Sequence, residues 1–360
     1  MTRRTLILLV LLIAAAATLW WVRLSPDGGD FNVEVPINSI RHSNFEFIPE
    51  HWAEPQLRQL RDQEDYADFS AKDTTELFLK LCHWVHSQWE RSVPDPYPRA
   101  NALDILSEIR AGRTGGFCGQ YAYVLADVLK SMGFFAVRYV ELWGRRAQSH
   151  FVVEAWNDDL GKWMVLDPDQ DLVYYREDGV PANALEVRSG LLEKRKITAQ
   201  SAAPGNRALG QRHMNFYAHF AVSLRSDFMR SDRPPTVKDR FDSFLFFRDD
   251  LTDLATFKGR IPYSLVTRRV SDIYFDCNAV RMEWSRLSGR DSLRFRFFTE
   301  GSAPNFQAFG VRLGNRTQWI PIQGNEMVVD VDELPVTFSV AAINRAGRRG
   351  RVSRVDIRHP

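Results

Sequence analysis

Gly115-Gly116-Phe117-Cys118-Gly119-Gln120-Tyr121-Ala122 is the stretch on which the reading of this chain turns. A glycine-rich loop gives way to an apolar helical pattern that opens on a cysteine, and His150 and Asp167 follow downstream, each in a strand pattern. A thiol attacks as its thiolate, and the exposed N–H groups of a helix's first turn favour that anion. Cys118 is therefore the candidate nucleophile, with His150 as the base that takes and returns the proton and Asp167 as the group that orients the ring. The Cys118 amide can donate to a developing oxyanion, and Gly115, Gly116 and Gly119 would leave room for a substrate backbone to approach the sulfur.

The surroundings support a helix-then-sheet arrangement. Asp73 can cap a helix with Glu76 three residues on, and Leu77, Phe78, Leu81, Trp84, Val85, Gln88 and Trp89 recur at helical spacing. Asn101 can cap a short helix through Arg110, and the cysteine helix should run to Met132 with Gly133 as its stop. Strands are expected at 134–142, 150–156 and 162–167. If 157–160 is a four-residue hairpin loop, His150 faces Asp167 directly across the strand pair. A one-residue slip would put the two on opposite faces. Helices followed by consecutive strands read as α+β.

Composition bounds the rest. A chain of 360 residues with 44% apolar content has material for about two domains, and a net charge of +2 with interspersed signs argues against a nucleic-acid partner. Arg3 and Arg4 precede an uncharged run, 5–22, that ends in Trp20 and Trp21, the pattern of an export signal. A retained anchor is the preferred reading, with Ala14 to Ala17 keeping a cleaved signal and a secreted product as the alternative. Either way, the bulk of the chain is expected outside the cytoplasmic membrane, in a periplasmic or extracellular setting.

Residues 1–24 are thus read as membrane segment and 25–72 as linker and N-terminal extension. Residues 73–189 hold the cysteine, histidine and aspartate. Residues 190–262 read as a helical connecting region with aromatic-rich helices at 213–229 and 240–254. Short strand patterns between turn signals from 263 to 360 read as a β-sandwich.

Three cysteines cannot all pair within one molecule. Cys82 shares an apolar stripe with Phe78 and Val85; a Cys82–Cys277 bond would leave Cys118 free, and no bond at all is the preferred expectation. His83 and His86 lie off that stripe and read as surface residues, and Asp167, Asp169 and Asp171 read as a solvated turn, since no glycine-punctuated calcium loop is present. No metal and no cofactor is expected.

Gly116-Phe117-Cys118 with Tyr121, Ala122, Leu125 and Gly133, then the stretch Ser149 to Trp156, then the stretch Gly161 to Pro168, resemble the core of the transglutaminase-like superfamily, a papain-like cysteine fold. The resemblance covers roughly residues 73–185 and rests on three motifs in order. It implies Cys118 as nucleophile, His150 as base and Asp167 as orienter, and a side-chain oxyanion donor upstream, for which Gln88 and Trp89 are candidates by position. Near the C-terminus, the stretch Phe338 to Gly347, with Trp284 as an early-strand core tryptophan, resembles a fibronectin type III-like domain, a module that spaces or binds. Together these imply a membrane-tethered, extracytoplasmic cysteine-dependent amide hydrolase or acyltransferase acting on a peptide or protein. The alternative is a catalytically inactive binding or scaffold protein using the same fold and the β-sandwich.

Overall fold

A computed structural model describes residues 32–34, 40–146, 148–205, 208–209, 211–229, 242–287, 292–330 and 335–358. The apolar run 5–22 lies outside them, and among the described residues no helix is long and apolar enough to cross a membrane.

The fold is α+β. The helix Cys118–Ser131 is buried along nearly its whole length, and three others pack on it: Pro55–Gln63, Thr74–His86 and Ala102–Arg110. Two of these begin as their sequences dictate, with the Asp73 carboxylate accepting from the Glu76 N–H (2.8 Å) and the Asn101 amide oxygen from the Asp104 N–H (2.9 Å). The extension at 25–72 is more than a linker. Pro55–Gln63 places Leu57 and Leu60 in the helical core, and Asn32–Glu34 pairs with the last strand, Ser353–Arg358.

Behind the helices stands a nine-stranded sheet with Val137–Trp143, Ser149–Asn157 and Lys162–Asp167 at its centre. Alternation decides which side each residue covers: Val137, Tyr139, Val153, Ala155, Met164 and Leu166 meet the helices, while Val140, Val152, Trp156, Trp163 and Val165 face a second core. Arg138 and Glu154 form a buried ion pair in that second layer, with the guanidinium 4.0 Å over the Trp163 ring.

The region 190–262 departs most from expectation. The segments read as aromatic helices instead supply strands: His219–Ser223 and Phe244–Phe247 extend the sheet beside Val137–Trp143, and Ile197–Ser201 extends its other side. Among the described residues there, the helical pieces after Leu192 include the short 3₁₀ stretches Gln211–Ala218 and Leu254–Phe257. The reason is that these strands are buried on both faces; Phe244, Phe246 and Ala221 enter one core and Leu245, Phe247, Phe220 and Val222 the other, so their apolar runs carry no two-residue alternation.

Beyond Ala279 a three-stranded antiparallel sheet and a five-stranded one, which Asn32–Glu34 joins as its edge, enclose a third core around Phe295, Phe297, Phe309, Phe338 and Val340. Trp284 is only partly buried at its margin. This sandwich docks on the far end of the cysteine helix: the Asn344 side-chain amide donates to the Gly133 carbonyl (2.9 Å), and Arg348 donates to the Met132 carbonyl while lying 3.8 Å over the Phe134 ring. A guanidinium at a helix C-terminus complements the carbonyl dipoles there.

Candidate active site

Cys118 is the first residue of its helix, and the Gln120 side chain reaches back to accept the Phe117 N–H at 3.2 Å. The preceding glycines have a different role from the one expected. A methyl group on Gly116 would sit 2.7 Å from Trp89 Nε1 and from Ile109 Cδ1, and one on Gly115 would sit 2.4 Å from Ser92 Oγ. They admit the chain's own 89–93 segment against the cysteine loop, and a methyl group on Gly119 would lie 3.2 Å from Tyr97 Oη. The room expected for substrate is thus filled by protein.

His150 and Asp167 meet, but in a different register. The observed ladder pairs Asn157 with Lys162, Trp156 with Trp163 and Val153 with Leu166, so the loop is 158–161 and the register differs by two from a 157–160 loop. Gly161 takes φ +60, a left-handed value that removes it from a strand and closes the turn, while Asn157 Oδ1 accepts the N–H groups of Asp159 and Leu160. A two-residue shift preserves side-chain parity, so His150 and Asp167 stay on one face. His150 Nε2 lies 2.8 Å from Asp167 Oδ2, and both side chains are almost wholly buried.

With Nε2 held by Asp167, Nδ1 is the nitrogen left for sulfur. The Cys118 sulfur stands beside the ring: Cys118, His150 and Asp169 bring ligand-type atoms within 4.8 Å of one another. Burial disfavours charge on His150. The Asp167 carboxylate, by its charge and its hydrogen bond, and then Cys118, outweigh burial and raise the imidazole well above its ordinary range.

Asp169, read from the sequence as part of a solvated turn, is the addition the structure makes to this group. Its carboxylate is buried, 3.8 Å from His150 Nδ1 and 3.0 Å from Arg91 Nε. Burial and then Asp167 push its carboxyl up, against the opposing charges of His150 and Arg91. The run Asp167, Asp169, Asp171 is therefore no solvated turn. All three are buried, and His83 and His86 close over it, with His83 Nδ1 3.2 Å from Asp171 and His86 Nδ1 donating to the Pro168 carbonyl at 3.0 Å.

Gln88 and Trp89 are spent elsewhere. The Gln88 amide donates to the Trp84 carbonyl and accepts from Arg110, on the outside of the helix. Trp89 stacks on Tyr121 at 4.1 Å and donates its indole N–H to the Gly116 carbonyl at 3.3 Å. Neither is free to meet an oxyanion here; the first-turn N–H groups of the cysteine helix are. Cys82, Cys118 and Cys277 are all free and buried, and Cys82 and Cys277 belong to different cores, so no bond joins them.

Residues 65–168 match the family model of the transglutaminase-like superfamily, and the chain therefore carries a transglutaminase-like domain. Cys118, His150 and Asp167 all lie within the matched stretch. Among solved structures, red sea bream transglutaminase is similar at 12% identity with a TM-score of 0.26; the match covers 92% of this chain and 62% of that one. No curated protein matches the chain.

Proposed function

We propose that this protein is a cysteine-dependent amide hydrolase or acyltransferase acting on a peptide or protein, with Cys118 as nucleophile, His150 as acid–base and Asp167 as orienting carboxylate. The observation that carries the reading is the imidazole held by Asp167 at 2.8 Å on Nε2, with the Cys118 sulfur within 4.8 Å of the ring's ligand nitrogen. His150 takes the thiol proton, and the sulfur attacks the amide carbonyl, whose π electrons move to oxygen beside the first-turn N–H groups. His150 then returns the proton to the departing nitrogen as the C–N bond breaks, leaving a thioester. Water or an amine, deprotonated by His150, attacks that thioester and releases the thiol.

The same proposal places the chain outside the cytoplasmic membrane, tethered by residues 5–22. Arg3 and Arg4 ahead of an uncharged run ending in two tryptophans support it. A screen of peptide and glutamine donors, with and without a primary amine, tests the reaction. Release of ammonia or peptide, or amine incorporation, that disappears in Cys118→Ala supports it; no turnover on any donor counts against it.

One observation favours the second reading, a binding protein without turnover. Cys118 keeps only 6% of its surface exposed, so substrate reaches the sulfur only if the covering segments move. Fast labelling of Cys118 by a small electrophile decides between the two.

A further inference from the structure

A cavity of about 550 Å³ is lined by Arg145, Arg146, Gln148, Leu191, Asn215 and Phe216. Phe216, in its wall, has its ring 4.9 Å from the His150 imidazole, so one side chain separates the cavity from the histidine. The two arginines stand at the tip of the hairpin that carries the histidine: Trp143 pairs with Ser149 and Leu142 with His150, and the Gly144 N–H donates to the Gln148 carbonyl to close the turn. A methyl group on Gly144 would lie 3.1 Å from the Asn215 carbonyl, so the tip is seated against the segment that bears Phe216.

Among the described residues, the charge at this cavity is uncompensated. Both arginine side chains are exposed, and neither guanidinium is in an ion pair among the described residues. Asp249 and Asp253, which share the buried neighbour His219 with Arg145, are already engaged: Arg188 holds Asp249 through two hydrogen bonds of 2.6 and 2.7 Å, and Asp253 accepts the Ala255 N–H. Two guanidiniums beside a small apolar floor of Leu191 and Phe216 match a peptide that carries a carboxylate next to an aliphatic stem.

We propose that Arg145 and Arg146 form an acidic-residue subsite, and that the preferred acyl donor is a peptide bearing a free carboxylate adjacent to the reacting amide. The inference rests on the reading of Cys118 and His150 as the reacting pair, because that reading makes the cavity a substrate approach. The acidic side chain would lie along Phe216 with its carboxylate on the guanidiniums, and the neighbouring amide would be carried past Phe216 toward His150.

Binding to the Cys118→Ala protein tests this without any dependence on turnover. The probes are two dye-labelled peptides, Ala-Gln-Glu-Ala and its neutral isostere Ala-Gln-Gln-Ala, with amidated C-termini, read by fluorescence anisotropy. The expected result is at least about tenfold tighter binding of the glutamate peptide, the size of one charge-assisted contact. That ratio should shrink as salt is raised and collapse toward one in the Arg145→Gln, Arg146→Gln double variant. Equal binding of the two peptides, no binding of the glutamate peptide, or a ratio that survives the double substitution would overturn the subsite. So would tighter binding of a thymidine oligonucleotide than of the acidic peptide. If the ratio holds but the donor screen shows no turnover, the catalytic reading fails and the acidic-peptide site stands.

Discussion

His150 and Asp167 meet at 2.8 Å although they are not opposite one another in the strand ladder, whose last pair on that side is Val153 with Leu166. The contact spans the point where the two strands stop pairing, with Asp167 Oδ1 also accepting the Gln170 N–H at 3.2 Å. Both ends of the interaction are therefore fixed, the ring by Asp167 and the carboxylate by the turn that follows it.

Asp167→Asn should retain the fold and lower turnover by about 10²–10⁴-fold, because an amide neither stabilises the imidazolium nor enforces the tautomer that leaves Nδ1 for the thiol. Steady-state kinetics alongside circular dichroism check it. Unchanged turnover in a folded variant would take Asp167 out of the mechanism.

The same pair has a stability signature. The raised His150 pKa, about 10 against an ordinary 6.5, means that the folded protein holds this proton more tightly than the unfolded chain. Its contribution is fully present below pH 6.5 and is lost as pH rises through the folded value. Denaturant unfolding across that window should show wild-type stability falling with pH, with a shallower slope in Asp167→Asn. Parallel slopes would count against the charged imidazole.

Asp169→Asn acts on the other side of the ring. It removes a carboxylate 3.8 Å from Nδ1 and releases Arg91 toward the site, both of which disfavour the imidazolium. The alkaline limb of the kcat/KM profile should move to lower pH. This contrasts with a solvent-exposed Asp169, which would leave the profile unchanged.

Gly116→Ala should cost about 1–3 kcal/mol, the range for overpacking, because the added carbon would lie 2.7 Å from Trp89 and from Ile109. Chemical denaturation measures it. A neutral effect would mean that the 89–93 segment yields easily, and would make that segment the first candidate for the part that opens over Cys118.

What was legible in the sequence was what local chemistry enforces. The caps Asp73 and Asn101, the helix opening on Cys118, and the strand 162–167 are set by neighbours in the chain. The face shared by His150 and Asp167 survived a two-residue error because parity is insensitive to it, whereas the register hung on the conformation of one glycine, Gly161. Phe244–Phe247 and His219–Ser223 were misread because burial on both faces erases alternation. Asp169 was missed for a tertiary reason: its partner Arg91, and the His83 and His86 that contact the neighbouring Asp171 and Pro168, come from about eighty positions earlier.

The most direct test of the central claim is the alkylation rate of Cys118 at about pH 6, followed residue by residue with mass spectrometry in wild type and His150→Ala. The account predicts that Cys118 reacts with iodoacetamide faster than a free thiol peptide at that pH, ahead of Cys82 and Cys277, and that His150→Ala removes the advantage. A Cys118 that reacts no faster than the free peptide, at a rate indifferent to His150→Ala, would contradict it.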